Sequence, residues 1–240
     1  MALFAIADTH LSLGDDKPMD IFPGWDGYVH RLEKKWRELV RDGDTVVIAG
    51  DVSWAMSLEK AVRDFTFLHS LPGRKLLFKG NHDYWWTTRK KMDDFLSKSG
   101  FDSLTIVHNS AEETEDYAVC GTRGWFYGAG EKNGMSGESG SELENDRRII
   151  LREAGRLEMS LCAAKKTGKQ PVAFLHYPPF YGDVICDEIM DVLEKHEIKL
   201  CYYGHLHGPG VHKIAPREIR GVKLTLISCD AVGFTPVLVR

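Results

Sequence analysis

The stretch Leu76-Leu77-Phe78-Lys79-Gly80-Asn81-His82-Asp83 governs the reading of the chain around it. A short apolar run, long enough for a buried strand, stops at a glycine and then offers an amide, an imidazole and a carboxylate in succession. Glycine lets the backbone turn sharply at a strand end, so the next three side chains can point to different places. An Asn can lend a carbonyl oxygen to a metal, a His can carry a proton, and an Asp can fix which ring nitrogen holds it. Gly, Asn and Asp also build plain turns, so the tetrapeptide takes its meaning from the other strand ends.

Those ends repeat the pattern. Leu3 to Ala7 is an apolar run ending at Asp8-Thr9-His10, where residues two apart share a face and can converge. Trp25, Tyr28, Val29, Leu32, Trp36, Leu39 and Val40 fall at helical spacing, and Asp42-Gly43 closes that helix. The β-branched run Thr45 to Ala49 ends in Gly50-Asp51. Ser57 then reads as a helix N-cap with Glu59 in the first turn. Arg74 to Lys79 is the third strand, and a helix is expected from Tyr84 to Ser99. Three strand–helix alternations predict parallel strands joined by right-handed crossovers, with sites beyond their carboxyl ends.

The second half continues less regularly. Leu104 to Val107 and Tyr117 to Cys120 read as strands, and the glycine-rich span Gly121 to Gly140 as a loop. A long helix is expected over Ser141 to Lys166, with Leu143, Ile150, Ala154, Leu157, Leu161 and Ala164 on one stripe. Pro171 to Leu175 is a strand ending in His176, a short helix follows over Ile185 to His196, and Leu200 to Tyr203 is a strand ending in Gly204-His205-Leu206-His207. The tail from Gly221 to Arg240 alternates as two antiparallel strands would.

Bulk properties exclude several classes. The 240 residues suit one domain over 1–240, and 43% hydrophobic with 28% charged content suits a globular core. Lys plus Arg at 31 against Asp plus Glu at 35 gives a net charge of −4, which argues against a broad nucleic-acid surface. No apolar run is long enough to span a bilayer, and no signal peptide is visible. Cys120, Cys162, Cys186, Cys201 and Cys229 are scattered without C-x-x-C spacing, as reduced thiols of a cytoplasmic protein would be.

Five strand ends therefore carry Asp8 and His10, Asp51, Asn81-His82-Asp83, His176, and His205 with His207. Asp, Asn and His suit Mn, Fe or Zn, and the lack of thiolates argues against a structural zinc. The donors suffice for two metals if one carboxylate bridges. Two divalent ions would exceed the charge of Asp8 and Asp51, so the centre would attract a phosphate despite the net negative chain.

The set D-x-H, G-D, G-N-H-D, H and G-H-x-H, running from Asp8 to His207, resembles the calcineurin-like metallophosphoesterase family in the family's own order. The resemblance implies an α/β fold in which a two-sheet β-sandwich is flanked by helices. It implies two metal ions (Mn, Fe or Zn), one held by Asp8, His10, Asp51 and His207, the other by a bridging Asp51 with Asn81, His176 and His205. It implies in-line attack by a hydroxide between the metals, with His82 protonating the leaving oxygen and Asp83 orienting the His82 ring. Asp83, where an Arg would follow G-N-H in other branches, leans away from protein phosphatases.

Aromatic residues crowd these ends: Trp54, Tyr84-Trp85-Trp86, Trp125-Phe126-Tyr127 and Tyr177. They either pack helices onto the sheet or form a mouth that stacks a flat group beside the phosphate. Trp54, Arg123 and Tyr177 are the candidates for substrate contact. Lys17 to Phe22 is apolar for a loop and is expected to fold over the site or form a contact surface. Arg89-Lys90-Lys91 reads as a solvated helix face, and His30, His69, His108, His196 and His212 as surface or satisfied histidines.

The function expected is hydrolysis of a small phosphodiester or nucleotide-type substrate by a dinuclear phosphoesterase, with neither nucleic acid nor membrane as partner. A phosphomonoesterase or protein phosphatase, a nuclease and a catalytically silent binding scaffold stand as alternatives.

Overall fold

The computed structural model describes residues 1–127 and 140–240, with the side chains of 140–142 outside that description. The first half builds β1 (Leu3–Ile6), α1 (Tyr28–Leu39), β2 (Thr45–Ile48), α2 (Val62–Ser70), β3 (Arg74–Leu77), α3 (Arg89–Lys98) and β4 (Leu104–Ile106). These strands lie side by side, parallel and in chain order. Their pleat divides the side chains: Phe4, Ile6, Val46, Ile48 and Leu77 face the three helices, and Leu3, Ala5, Val47 and Leu76 face the other way.

The second half adds β5 (Glu112–Glu113), β6 (Tyr117–Thr122), α4 (Gly140–Lys165), β7 (Gln170–Leu175), the hairpin β8 (Phe180–Tyr181) and β9 (Val184–Ile185), α5 (Asp187–Lys195), β10 (Leu200–Tyr203), β11 (Arg217–Ile219), β12 (Val222–Leu226) and β13 (Val237–Leu238). Its sheet runs β11-β12-β10-β7-β6-β5, with the four inner strands parallel and the edges antiparallel. Ala118, Cys120, Ala173, Leu175, Cys201 and Tyr203 pack against α4 and α5, and Val119, Val172, Phe174 and Tyr202 meet the inner face of the first sheet. Two sheets packed face to face, each covered outside by helices, are the sandwich that the resemblance implies.

Several local expectations are corrected. The helix expected from Ser57 begins at Val62. Ser57 instead opens a turn, its carbonyl accepting from the Ala61 N–H at 3.1 Å. The helix expected from Tyr84 begins at Arg89, because Thr88 is the residue that caps it, accepting from Lys91 N. Leu143, expected on the apolar stripe of α4, is 38% exposed, whereas Ile150, Leu157 and Leu161 are buried. The two tail strands do not pair with each other: β12 joins β10 and β11 in the second sheet, and β13 closes the edge of the first beside β1. Of the span Gly121 to Gly140, Gly121 and Thr122 finish β6 and Gly140 opens α4, while 128–139 lie outside the described residues. Among the described residues no helix is long and apolar enough to cross a membrane.

Candidate metal centre

The carboxyl ends of β1, β2 and β3 from one sheet and of β7 and β10 from the other come together at one end of the sandwich. The chain after β12 closes this end, with Ala7 N bonding Ile227 O at 2.8 Å and Cys229 N bonding Ala7 O at 3.0 Å. Asp8, His10, Asp51 and His205 all have positive φ, at 60°, 42°, 50° and 72°. Such backbone is costly outside glycine and persists where surrounding structure over-determines it, as at functional sites. Here the turn at each strand end aims a donor group inward.

Two glycines make the approach of the carboxylates possible. A Cβ on Gly80 would stand 2.1 Å from Asp51 Oδ1, and one on Gly204 would stand 2.5 Å from Asp8 Oδ2. In the space so left, Asp51 Oδ1 accepts from His82 N at 2.7 Å and Asp8 Oδ2 from His205 N at 2.9 Å. Each carboxylate thus has one oxygen fixed by backbone and one free to face the centre.

The seven side chains expected as ligands converge. Asp8, His10 and His207 form one group of ligand atoms within 4.8 Å of one another, and Asp8, Asp51 and His176 form a second. The two groups share Asp8, and Asp51 Oδ2 lies 3.6 Å from His10 Nε2 of the first and 3.5 Å from His176 Nε2 of the second. Asn81 Oδ1 lies 2.6 Å from His176 Nε2 and 3.1 Å from His205 Nδ1.

The donor atoms fit a cation. His176 donates from Nδ1 to Ala49 O at 3.2 Å, which leaves Nε2 as a lone pair facing the Asn81 carbonyl oxygen. His207 donates from Nδ1 to Asp230 Oδ1 at 3.1 Å, which leaves its Nε2 facing Asp8 Oδ1 at 3.2 Å and His10 Nε2 at 3.3 Å. Asp8 Oδ1 is buried and accepts no well-directed hydrogen bond. Opposed lone pairs in a buried site require positive charge between them. Without a metal the cluster draws on protons. Burial opposes the charge on His207, but the Asp8 and Asp230 carboxylates outweigh it and raise the group to about 10. Burial and the neighbouring Asp8 charge push Asp51 up to about 8. Burial keeps His10 and His176 lowered and His205 down to about 3, so their rings are neutral and free to ligate.

His82 stands beside this group without joining it, its ring centroid 5.8 Å from that of His10. Burial first, then the His176 imidazole, holds it down to about 4, a value an adjacent anion would raise. The role expected for Asp83 is corrected. Asp83 Oδ1 accepts from Val52 N at 2.9 Å, Ser53 N at 3.2 Å and Trp85 Nε1 at 2.9 Å, and Oδ2 accepts from Gly80 N at 2.7 Å. All its bonds go to scaffold donors, and the partner of the His82 ring is the Tyr84 hydroxyl, 3.3 Å from Nδ1. Asp83 braces the two loops that carry Asp51 and Asn81.

The three residues expected at the substrate divide. Trp54 stacks on His10 at 4.9 Å and tilts over His82 at 4.4 Å. Met19 Sδ sits 3.3 Å from its Nε1 and the Lys17 ammonium 5.0 Å from its ring, so the Lys17 to Phe22 segment does fold against the site. Tyr177 is 3% exposed and covers His205, with centroids 4.1 Å apart. Arg123 turns its side chain the other way, to buried Glu153 at 3.5 Å, while its carbonyl accepts from His176 N and Tyr177 N. Among the dismissed residues, Arg89 and Lys90 pair with Asp93 and Asp94 on the surface of α3, as expected. His196 lies in a third potential ligand group with Glu158 and Cys162. There the Lys195 ammonium already sits 2.7 Å from the same Glu158 oxygen.

Asp230 escaped the sequence reading. It follows β12 at a point where no motif repeats, and its second oxygen accepts from Gly208 N at 2.9 Å. A carboxylate on the far nitrogen of a ligating His fixes the tautomer and raises basicity. The signal was available only as a lone Asp after an apolar run.

A two-sheet sandwich with an Asp, Asn and His cluster at its strand ends is an α/β architecture whose gathered donors could hold metal ions. The chain belongs to the calcineurin-like phosphoesterase family, whose model matches residues 1–209. Among solved structures it is similar to TT1561 of Thermus thermophilus, with 10% identity, a TM-score of 0.55, and coverage of 99% of this chain and 97% of that one. It is also similar to the phosphopantetheinyl hydrolase PptH of Mycobacterium tuberculosis, with 16% identity, a TM-score of 0.50, and coverage of 95% and 88%. At these identities the likeness shows the fold. No curated protein matches the chain in sequence.

Proposed function

We propose that the chain is a dinuclear metal-dependent phosphoesterase acting on a small phosphodiester or nucleotide-type substrate. The observation that carries this reading is that the two ligand groups share Asp8, while one Asp51 oxygen lies about equally far from His10 of the first and His176 of the second. Asp8, His10, Asp51 and His207 would hold one ion, and Asp51, Asn81, His176 and His205 the other, with Mn, Fe or Zn suited to these donors. Bound there, the ions would supply Lewis acidity, polarising phosphoryl oxygens and making water a nucleophile near neutral pH.

The chain's own residues set the rest. His82, partly exposed beside the group, is placed to hold a proton for the leaving oxygen. The Tyr84 hydroxyl at Nδ1 orients its ring, and Asp83 keeps the loop beneath it in place. Trp54 lies against His10 and Tyr177 against His205, and such flat aromatic faces beside the ligand groups suit the stacking of a flat group of a small ester. The Mycobacterium tuberculosis structure is that of a phosphopantetheinyl hydrolase, and its substrate is not carried over at 16% identity. One domain over 1–240 and a cytoplasmic setting complete the reading. The latter is supported by five free cysteines, four of them buried.

The test compares hydrolysis of bis-p-nitrophenyl phosphate and p-nitrophenyl phosphate by metal-stripped chain reloaded with Mn²⁺. Preference for the diester is expected. Preference for the monoester contradicts the diesterase reading, and no turnover of either ester contradicts the phosphoesterase reading itself.

A further inference from the structure

Away from the candidate centre, the helices outside the second sheet carry another mixed set of donors. Glu158 and Cys162 stand four residues apart on α4, on one face, and His196 ends α5 beside them. Helix α4 leads into β7 and α5 into β10, so the set lies toward the amino ends of those strands, whereas His176 and His205 follow their carboxyl ends. One ligand atom from each of the three residues lies within 4.8 Å of the others. His196 Nε2 is 3.0 Å and Cys162 Sγ 3.7 Å from Glu158 Oε1. Around a tetrahedral Zn²⁺ with bonds of about 2.0–2.3 Å, such atoms stand about 3.3–3.8 Å apart. The two edges fall close to that range.

Two features mark the set as a place for a cation. The His196 side chain is only 10% exposed, and its Nε2, although near Glu158, makes no hydrogen bond. A buried polar atom without a partner is uncommon in a folded chain. The second feature is that a positive group already goes there, since the Lys195 ammonium lies 2.7 Å from Glu158 Oε1. The ammonium first, then the imidazole, hold the Glu158 carboxyl down to about 2, so it is an anion near neutral pH. Lys195 is a replaceable occupant. Its side chain is 66% exposed and can return to water, and an ammonium has no use for a thiolate or an imidazole lone pair. A Zn²⁺ ion uses all three donors. Cys162 is also the exposed thiol, the other four being buried, so an ion reaches it from solvent.

We propose that Glu158, Cys162 and His196 form a separate Zn²⁺ site that clasps α4 to α5, with water as the fourth ligand. On binding, the Cys162 thiol releases its proton to solvent and the Lys195 ammonium moves out into water. The thiolate sulfur, His196 Nε2 and one Glu158 oxygen then coordinate the ion. The site stands apart from the candidate centre, whose seven donor residues include no sulfur. Its thiolate selects Zn²⁺ and similarly thiophilic ions over Mn²⁺.

The test uses Co²⁺, which substitutes for Zn²⁺ and reports its ligands. Metal-stripped full chain, kept reduced by a phosphine, is titrated with Co²⁺ beyond the capacity of the candidate centre. The near-ultraviolet thiolate-to-Co²⁺ charge-transfer band is followed, to which the centre cannot contribute. A band that saturates at one thiolate-bound ion per chain is expected, and Zn²⁺ should bleach it by displacing Co²⁺. Cys162→Ser should abolish the band, and His196→Gln should move its midpoint to about tenfold higher Co²⁺ or more. Lys195→Met, which removes the competing ammonium, should move the midpoint to lower Co²⁺. No band, or a band that survives Cys162→Ser, overturns the site. A midpoint that His196→Gln leaves unchanged assigns the ion to a lone thiol and overturns the three-residue site as well.

Discussion

Asp83 accepts four N–H groups from two loops and is 2% exposed, so its carboxylate is a fastener between Val52-Ser53 and Gly80. Asp83→Asn would aim an amide N–H at donors and leave at least one unsatisfied. A loss of about 2–3 kcal/mol in urea unfolding is expected. Unchanged stability with a shifted pH–rate profile would instead return Asp83 to the His82 ring. Asp230 acts through His207 and Gly208, and Asp230→Asn should weaken metal binding about 10–100-fold, read by competition with a fluorescent chelator, while leaving the fold intact. The contrast explains what the sequence could reveal at this scale. The seven converging donors stand in short repeated strings after apolar runs. The partners of Asp83 and His207 are set by long-range folding, and sequence adjacency misled the reading of Asp83 toward its neighbour His82.

At the scale of elements, strand ends were legible and helix starts were not. A strand is announced by a β-branched run that stops at Gly, as at Ile48-Ala49-Gly50, whereas α3 begins only where Thr88 can cap it, after four residues that could have been helical. The pairing of β13 with β1 was equally hidden, because two-residue strands carry no periodicity. Helix α4 shows how an outer element reaches the centre. Its Glu153 ties Thr122 and Arg123 at the end of β6, and Arg123 in turn holds the backbone of His176 and Tyr177. Glu153→Gln should therefore cost about 3–5 kcal/mol, as the removal of one partner from a buried ionic cluster does, with a lowered thermal midpoint as the readout. A midpoint equal to wild type would show that the guanidinium groups find water instead.

On the scale of the whole molecule, the centre exists only when both sheets are assembled. Asp8, His10, Asp51 and Asn81 leave one sheet, and His176, His205 and His207 leave the other; Phe78, Phe174 and Tyr202 in the layer between fix their separation. Metal bound by these donors would therefore be coupled to folding, since the unfolded chain scatters them across two hundred residues of sequence. The sandwich followed from the resemblance to the family, and the convergence of the seven donors could be read from the order of the motifs, because each motif marks a carboxyl strand end and parallel strands bring such ends together. Trp54 and Tyr177, which follow Asp51 and His176 in sequence, do lie against His10 and His205, whereas the turn of Arg123 toward Glu153 on α4 is set by side-chain packing that no spacing encodes. The most direct measurement titrates metal-stripped chain with Mn²⁺ and follows bound metal per chain together with p-nitrophenyl ester turnover. Turnover absent at the start and reaching its plateau at two ions per chain is the predicted result; full turnover in the stripped chain, or a plateau at one ion, would contradict the dinuclear centre.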